Sequence, residues 1–470
     1  MPLAALFVAL LLTAYSQRYD YERDELYFRM LKPAWGYVDQ PPLVPLLADL
    51  TQLLADQPWA LRIPSTLAMV ASVFVVAAIA RELGGDRLAE GLAAWAFASS
   101  AAAMILGHIL ITSTFDLLVW PLVCLFVMRA LLREEGRWWL YAGVVAGLSS
   151  YDKLLVVWLL LGIVIGLAVV GPRRVLLSPA LLVAGPVCLL LALPNVVYQV
   201  AHDWPQFRMG AALADNNAGE VRWFMWVLLL LVIGPVLVPV WVAGLVAMLR
   251  RPEWRPVRCV VVAFGVVLVL TFVSGAQPHY PTGLLVVLLA AGSVPTAAWM
   301  RRSRGRAALV TAAVVVNFVT SAVLGLPVLP VQVLGDTPVP ELNLTAQDQV
   351  GWRTYVEQIR RVARSAGVDV VVTSNYGEAG AVARYAPELQ VFSGQNALFE
   401  AGPPPTSATD VVFVGGQLPV TRRLFSACRV ETALDNQVGV DNEEQEQPVA
   451  VCRGLRSGWA RSWPTLEHLD

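Results

Sequence analysis

Long apolar segments recur along this chain as far as residue 326, and they constrain its fold more than any other feature. A helix needs about 20 largely apolar residues to cross the hydrocarbon core of a bilayer. Only 15% of the residues are charged, against about 25% in ordinary soluble domains. The sequence therefore predicts a polytopic α-helical membrane protein. We predict eleven membrane spans, of which the first and fifth are short: 2–16, 59–80, 88–107, 110–132, 137–151, 153–171, 175–194, 222–249, 257–275, 279–299 and 306–326.

Basic residues are concentrated in alternate loops between these spans, and this pattern predicts the orientation of the chain. Cytoplasmic loops of membrane proteins carry an excess of Lys and Arg. The basic loops contain Arg81 and Arg87; Arg129, Arg133 and Arg137; Arg173 and Arg174; Arg250, Arg251, Arg255 and Arg258; and Arg301, Arg302, Arg304 and Arg306. With eleven spans, all five of these loops fall on the cytoplasmic side, so the other loops and the tail face outwards.

The chain changes character after residue 326, where long apolar runs stop and charged, Gly and Pro residues become more frequent. The segments VDVVVTSN (368–375) and DVVFVGG (410–416) are short apolar runs that end in turn residues, which is typical of buried strands. The segment 349–367 has the spacing of an amphipathic helix that stops at a glycine. We therefore predict two domains: a transmembrane domain at 1–326, which includes the first outer loop 17–58, and a small extracytoplasmic α/β domain at 327–470.

The cysteines and the cofactor motifs narrow the function classes further. The sequence contains no metal-ligand spacing, phosphate-binding loop or dinucleotide-binding motif, so we expect no organic cofactor and no nucleic-acid partner. Cys124, Cys188 and Cys259 lie in apolar runs and are expected to be small core residues. Cys428 and Cys452 lie in the polar tail. They can form a disulfide if the tail is outside the cytosol, or they can remain as two free thiols.

Several ionisable side chains fall at the predicted outer ends of the spans, although they are far apart in the sequence. They comprise Asp24 and Glu25 in the first outer loop, Asp116 in TSTFDLLVW at the outer end of the fourth span, Lys153 in SSYDKLL between the fifth and sixth spans, and His279 and Tyr280 in SGAQPHYP at the start of the tenth. Ionisable residues inside a membrane are costly and usually functional. Because all of these side chains are predicted on the outer face of the membrane, the sequence indicates a functional site on that face.

Each of these residues also has a structural interpretation. Asp24 and Glu25 can cap an interfacial helix, because acidic residues favour helix N-termini. Asp116 can belong to a capped helix start, and Lys153 can extend towards lipid phosphates. A single histidine such as His279 is more often structural than functional. The stretch WGYVDQPPL can be an aromatic interface belt with a proline turn.

Taken together, the same residues fit sugar transfer from a lipid-phosphate donor. Carboxylates at a membrane surface can deprotonate or orient an acceptor hydroxyl, or hold a divalent cation through oxygen ligands. A nearby lysine can hold a lipid phosphate, and a neutralised phosphate is a workable leaving group. Tyr27, Trp35 and Tyr37 can stack on sugar rings.

The segment RDELYFRML (23–31), followed by AWGYVDQPPLVPLLA (34–48), resembles the bacterial members of glycosyltransferase family 39. These are relatives of the protein O-mannosyltransferases and of the lipid A aminoarabinose transferase, and they have the GT-C fold. The resemblance extends to LPNVVYQVAHDWPQF (193–207), to TSNYGEAGAVARYAPELQVFSGQNALFEAGPPP (373–405) and to VDNEEQEQPVAVCRG (440–454). It implies a multi-pass protein of the bacterial cytoplasmic (inner) membrane, with about eleven helices and a small extracytoplasmic α/β C-terminal domain.

The resemblance also implies roles for individual residues. The acidic pair of the family's first outer loop falls on Asp24 and Glu25, and its second acidic position falls on Asp116. Asp24 is then the essential catalytic residue, and the three carboxylates are candidate ligands for a divalent cation such as Mg²⁺ or Mn²⁺. Lys153 is expected to lie near the donor phosphate. Contacts to the acceptor or the sugar are expected from Tyr27, Trp35, Tyr37, Asp39 and Gln40.

The sequence departs from the family pattern at the start of the tenth span. Many relatives carry a lysine before a tyrosine pair, whereas this chain has Gln277-Pro278-His279-Tyr280. The donor phosphate is then expected to contact Lys153 together with His279, Tyr280 or Arg23.

Two functions of different classes follow from these observations. The first is an integral-membrane hexosyl- or pentosyltransferase that moves a monosaccharide from a polyprenyl-phosphate donor to a protein, lipid or cell-envelope glycan, with inversion. The second is a flippase or transporter of lipid-linked sugars, although transporters favour sites near the bilayer midplane. A binding module on an inert anchor is disfavoured by the large apolar mass of the chain.

Overall fold

The computed structural model describes residues 1–469 and divides the chain into two compact units. The first, here called the helical unit, comprises residues 1–16, 40–44 and 62–326. The second, here called the sheet unit, comprises residues 17–39, 45–61 and the chain from 327 onwards. The division after 326 recurs at the predicted position, but most of the first outer loop groups with the tail. The loop groups with the tail because its helix Arg23–Phe28 packs against helix Tyr376–Tyr385 of the tail.

The helical unit is built almost entirely from α-helices. Its helices are Pro2–Tyr15, Ile63–Glu82, Arg87–Ala98, Ala101–His108, Thr112–Leu132, Arg137–Ser149, Val156–Val169, Pro179–Ala201, Pro205–Leu231, Val238–Arg250, Cys259–Ser274, Thr282–Met300 and Arg304–Gly325. Helices Leu43–Gln52 and Pro58–Leu61 lie between Pro2–Tyr15 and Ile63–Glu82, and most of their residues belong to the sheet unit.

Many of these helices have the length and composition of membrane spans. Within residues 1–469, five helices are long and apolar enough to cross a membrane, and two bent pairs raise the number to seven. In the first pair, helices Arg87–Ala98 and Ala101–His108 are bent by 53° relative to each other. In the second pair, the bend is 71° and lies between Val221–Leu231, which is the end of helix Pro205–Leu231, and Pro235–Arg250, which contains helix Val238–Arg250. Shorter apolar helices lie at Pro2–Tyr15, Val156–Val169 and Cys259–Ser274. Each of the eleven predicted spans overlaps one of these helices or helix Arg137–Ser149.

Helix Thr282–Met300 forms the centre of the helical unit, and its residues from 284 to 291 are all buried. Small residues allow its backbone to approach a neighbour closely. A Cβ atom added to Gly292 would lie only 1.8 Å from the Val240 carbonyl oxygen, and one added to Gly244 would lie 2.0 Å from that of Leu288. Close backbone approach through small residues is how helices pack when no water is present to drive their association.

Asn317 joins the two bent pairs. Its side-chain nitrogen donates hydrogen bonds to the Ser99 carbonyl at 2.8 Å and to the Ile233 carbonyl at 2.9 Å. Ser99 lies in the break after Ala98, and Ile233 lies in the break before Pro235. A break in a membrane helix releases carbonyl groups that need another partner. One amide therefore stabilises both breaks.

The sheet unit contains strands β1 (Val370–Thr373), β2 (Gln390–Ser393), β3 (Val411–Val414), β4 (Phe425–Ala433) and β5 (Pro448–Leu455). They form a sheet in the order β2-β1-β3-β5-β4. β1 pairs in parallel with β2 and β3, whereas β5 is antiparallel to β3 and β4. β1 and β3 lie inside the two predicted strand segments. A disulfide joins Cys428 to Cys452, which are paired residues on β4 and β5.

Helices cover this sheet, and large aromatic residues fill its core. The longer helices are Trp352–Ala366 and Tyr376–Tyr385, and the shorter ones are Arg23–Phe28, Val331–Leu334, Val339–Leu342, Leu344–Gln347, Ala397–Glu400, Leu418–Leu424 and Trp459–Ser462. Helix Trp352–Ala366 is the predicted amphipathic helix. It ends at Gly367, which has a left-handed conformation with φ of +66°, and glycine adopts this conformation at no steric cost. Phe413, Phe425, Trp459 and Trp463 pack in the core.

Candidate active site

The acidic loop forms a short capped helix in the sheet unit. Glu22 precedes helix Arg23–Phe28, and its carboxylate accepts from the Asp24 amide at 2.8 Å. The Glu25 carboxylate accepts in return from the Glu22 amide at 2.9 Å. Such a capping box satisfies backbone donors that a helix start leaves unpaired. Glu25 is completely buried. Its side chain therefore caps the helix, as the structural interpretation of the sequence predicted.

Asp24 is held by a residue from the tail. The Tyr376 hydroxyl donates to Asp24 Oδ1 at 2.8 Å, and the Tyr27 ring lies 4.7 Å from the Tyr376 ring. Trp352 Nε1 donates to the Tyr21 carbonyl at 3.0 Å, which fixes the chain just before the helix. Burial raises the pKa of Tyr376 well above its usual value, so this hydroxyl remains a hydrogen-bond donor. Asp24 itself is half-buried.

Tyr27 also contacts the second part of the acidic loop. Its hydroxyl accepts from the Ala397 amide at 3.2 Å and interacts with the Asp39 carboxyl. Burial raises the pKa of Asp39 to about 7, and the hydrogen bond from Tyr27 partly offsets this rise. Asp39 therefore changes its protonation near neutral pH.

The other residues of this loop that were predicted to contact substrate have different environments. The Trp35 side chain is 71% exposed, whereas Tyr37 is buried and donates to the Lys32 carbonyl at 2.7 Å. Gln40 is buried in the helical unit, and its Nε2 has no hydrogen-bond partner within residues 1–469. Of these residues, Trp35 has the most open surface for stacking.

Arg23, predicted to contact the donor phosphate, lies among acidic groups of the sheet unit. Its guanidinium forms an ion pair with Glu443 and lies 5.3 Å from the centre of the Tyr376 ring. Asp348 and Glu444 also interact with it electrostatically. Burial raises the pKa of Asp348 to about 7, and Arg23 opposes that rise. The charge of Arg23 is therefore shared with protein carboxylates in this structure.

The helical unit brings together a second group of predicted residues. Lys153 Nζ donates to Ser113 Oγ at 3.1 Å, and Ser113 Oγ lies 2.8 Å from His279 Nε2. Lys153 Nζ also lies 4.3 Å from the centre of the Tyr280 ring, which is a favourable cation–π distance. Residues from the start of helix Thr112–Leu132, from the turn before Val156 and from the loop before Thr282 thus form one polar cluster.

Two carboxylates act on this cluster, since Asp116 and Asp152 both interact favourably with the Lys153 ammonium group. Both carboxylates are on elements that also carry cluster residues, because Asp116 is one turn after Ser113 and Asp152 is adjacent to Lys153. A buried or half-buried ammonium needs such partners to remain charged. The cluster combines a cation, hydrogen-bonding groups and an aromatic face, which suits recognition of a phosphate ester.

Two residues of these groups were not predicted from the sequence. Ser113 lies in the segment TSTFDLLVW, from which only Asp116 was predicted to be functional, and Tyr376 lies in the segment 373–405 that resembles the family. The available signal for Tyr376 was its position directly after TSN at the carboxyl end of β1, where functional side chains often lie. The divalent-cation ligands stay a prediction, because neither unit contains, among its described residues, three His, Cys, Asp or Glu side chains grouped as a metal site.

Comparison with known proteins supports the sequence-based resemblance. Residues 39–198 match the model of the dolichyl-phosphate-mannose-protein mannosyltransferase family. ArnT from Cupriavidus metallidurans bound to undecaprenyl phosphate has a similar structure, with a TM-score of 0.64 and 13% identity over 96% of this chain and 97% of that one. The apo state of the same ArnT gives a TM-score of 0.63, with 13% identity over 95% and 97% of the two chains. No curated protein sequence matches the chain.

The chain is a multi-pass membrane protein with the GT-C fold. The predicted GT-C fold is confirmed by this similarity, and the family model supports the predicted resemblance to glycosyltransferase family 39 over residues 39–198.

Proposed function

We propose that this chain is an integral-membrane glycosyltransferase that moves one monosaccharide from a polyprenyl-phosphate donor to an acceptor. The acceptor is a protein, a lipid or a cell-envelope glycan, and transfer occurs at the outer face of the bacterial cytoplasmic membrane. The observation that carries the proposal is the Lys153, Ser113, His279 and Tyr280 cluster. It occurs in a fold shared with ArnT, which was solved with undecaprenyl phosphate bound.

Lys153 contacts the donor phosphate in the proposed reaction. The ammonium group neutralises charge that develops on the phosphate as it leaves, which is the electrostatic part of catalysis. Ser113 and His279 orient the ammonium group and offer further hydrogen bonds. The Tyr280 ring holds the lysine side chain, since a cation is attracted to an aromatic face.

Asp24 acts on the acceptor. The acceptor oxygen attacks the anomeric carbon, the bond from that carbon to the phosphate oxygen breaks, and polyprenyl phosphate leaves. The acceptor proton passes to the Asp24 carboxylate, which Tyr376 orients. A single displacement of this kind inverts the anomeric centre. Tyr376 is a positioning residue in this reaction, and Glu25 stabilises the helix that carries Asp24.

The orientation of the chain in the membrane belongs to the same proposal. The basic loops, which include Arg81 and Arg87, face the cytoplasm according to the positive-inside rule. The acidic loop and the tail then face outwards. Polyprenyl-phosphate sugars presented on the outer leaflet would reach a site on that side.

The proposal is tested with purified protein in liposomes and a panel of radiolabelled polyprenyl-phosphate sugars. Wild-type protein is expected to release the sugar from at least one donor lipid. Asp24→Asn should reduce the rate by at least about 100-fold, because general base catalysis contributes that much. The exposed carboxylate variant Asp336→Asn, in the same unit, serves as the matched control. Full activity of Asp24→Asn would refute the assignment of the base.

The same experiment separates the transferase from a flippase of lipid-linked sugars. A flippase would move the labelled lipid across the bilayer and leave the bond between sugar and phosphate intact. Chromatography of the labelled products distinguishes the two results, because a flippase leaves the label on polyprenyl phosphate, whereas a transferase moves it to a different molecule, even when the acceptor is a lipid. Addition of EDTA to the active reaction tests the predicted divalent cation independently.

A further inference from the structure

A pocket of about 420 Å³ in the sheet unit is lined by two arginines that the proposed reaction does not use. Arg29 follows helix Arg23–Phe28 directly, and Arg384 lies in the last turn of helix Tyr376–Tyr385. Asp56, which comes from the segment before helix Pro58–Leu61, lies with them in the pocket wall. These three side chains determine the charge of the pocket.

Asp56 interacts with both guanidinium groups. It forms an ion pair with Arg29, and Asp56 Oδ2 lies 3.5 Å from Arg384 Nε. The Asp56 carbonyl accepts from Arg384 Nη2 at 3.1 Å. The Arg29 guanidinium lies 4.8 Å from the centre of the Tyr21 ring, which fixes its plane. Both arginines are therefore held in place before any ligand binds.

The pocket carries more positive charge than Asp56 can neutralise. Two guanidinium groups face one carboxylate, and Arg29 is deeply buried, with only 9% of its side chain exposed. Arg29 Nε is buried and has no hydrogen-bond acceptor within residues 1–469, whereas Arg384 Nε has the Asp56 carboxylate at 3.5 Å. A buried donor without an acceptor costs about 1–3 kcal/mol. An anion that accepts from Arg29 Nε would remove this cost.

A purely structural explanation accounts for only part of this arrangement. Both arginines are near the C-terminal ends of helices, where the helix dipole favours positive charge. This explains why basic residues are present. It does not supply an acceptor for Arg29 Nε, and it does not explain a pocket beside the two arginines.

We propose that Arg29 and Arg384 form a binding site for a phosphate group. Guanidinium groups match phosphate oxygens in charge and in geometry, because each can donate two parallel hydrogen bonds. The volume of the pocket leaves room for the glycerol or sugar that carries the phosphate. Asp56 is two residues before the candidate membrane span that begins at Pro58. The phosphate therefore comes from a membrane lipid headgroup or from a soluble phosphate ester near the membrane surface.

The site is tested by isothermal titration of the full-length protein in nanodiscs of neutral phosphatidylcholine. The two probes are inorganic phosphate and a water-soluble short-chain phosphatidic acid. Wild-type protein is expected to bind at least one of them. Arg29→Gln and Arg384→Gln should each weaken binding by about tenfold or more, which corresponds to the loss of one charged hydrogen-bonding partner. Arg361→Gln, an exposed arginine of the same unit, is the matched control.

Asp56→Asn provides the decisive variant. It retains both arginines and removes the carboxylate that competes with the ligand, so the probe should bind several-fold more tightly. Damage to the fold could not produce that gain. Tighter binding of the lipid than of inorganic phosphate identifies a headgroup as the source, and equal binding identifies a soluble ester.

Failure to bind either probe, or binding that both arginine variants leave unchanged, would overturn the proposal. Lys153→Gln should leave this binding unaltered, because Lys153 belongs to the proposed donor site. Binding at Arg29 and Arg384 is therefore tested independently of the proposed sugar transfer.

Discussion

The Tyr376 hydroxyl donates a hydrogen bond to Asp24 Oδ1 at 2.8 Å, although the two residues are 352 positions apart in the sequence. The ring of Tyr376 is buried between Tyr27 and Arg23. Its hydroxyl can therefore turn to few other partners. The carboxylate proposed as the base is thus oriented by the tail, so the tail has a direct part in arranging the acidic loop.

Tyr376→Phe should slow sugar transfer without a matching change in KM for the donor. The variant removes the hydrogen bond but retains the ring and its packing against Tyr27. A hydrogen bond to a charged group contributes about 1.5–3 kcal/mol, so kcat should fall by about 10- to 100-fold. Steady-state kinetics with varied donor concentration provides the measurement.

Tyr385→Phe is the matched control for that variant. Tyr385 lies at the other end of the same helix, and its hydroxyl bonds Asp20 rather than Asp24. A general weakening of the unit would affect both variants alike. Equal losses of kcat in the two proteins would contradict a specific role for Tyr376.

The sequence predicted those parts of the fold that depend on local patterns. Long apolar runs indicate helices wherever they occur, so each predicted span overlaps a helix. The strands β1 and β3 were likewise indicated by short apolar runs that end in turns. The structure differs from the prediction in the first outer loop, most of which groups with the tail. This grouping depends on contacts such as the hydrogen bond from Trp352 to the Tyr21 carbonyl. No local pattern encodes contacts of that range.

The candidate site was predictable to a similar degree. Lys153, His279 and Tyr280 were selected because they are ionisable or aromatic at the ends of apolar runs, and they do come together in the helical unit. Ser113 has an ordinary side chain for a helix start, so nothing in its local sequence set it apart from a cap. Its role as the link between Lys153 and His279 becomes visible only in three dimensions.

Lys153→Gln should raise KM for the lipid-phosphate donor by about tenfold or more. The glutamine side chain can still donate a hydrogen bond to Ser113, but it cannot neutralise a phosphate. Lys32→Gln is the matched control, because Lys32 is the other lysine of the chain and is exposed. Assays with the active donor at several ionic strengths provide the measurement. Unchanged KM and kcat in Lys153→Gln would remove this residue from the donor site.

Asp39 should make the stability of the sheet unit depend on pH. Burial raises the pKa of Asp39 from 3.8 to about 7, so between these pH values the folded chain holds a proton that the unfolded chain has lost. The free energy of unfolding therefore decreases as pH rises through this interval, by about 1.4 kcal/mol per pH unit for one proton. Asp39→Asn should make that slope shallower by about 1.4 kcal/mol per pH unit, which is the contribution of one proton. The variant should also stabilise the unit above pH 7.

Denaturant unfolding of the detergent-solubilised protein between pH 4 and 8 measures this slope. It should not disappear completely, because burial also raises the pKa of Glu378 to about 8. The exposed variant Asp336→Asn should retain the wild-type slope. An Asp39→Asn protein with the same slope as wild type would show that Asp39 does not bind the additional proton.

The disulfide between Cys428 and Cys452 provides a test of the predicted orientation as well as of stability. It closes a loop with a sequence separation of 24 residues between β4 and β5, and a loop of this length is expected to stabilise the folded state by about 3 kcal/mol. Disulfides persist outside the cytosol. In intact bacterial cells, a membrane-impermeant maleimide should label these two cysteines only after a reductant is added. Labelling without reductant would contradict the bond, and labelling only after the membrane is broken would contradict the outward orientation of the tail.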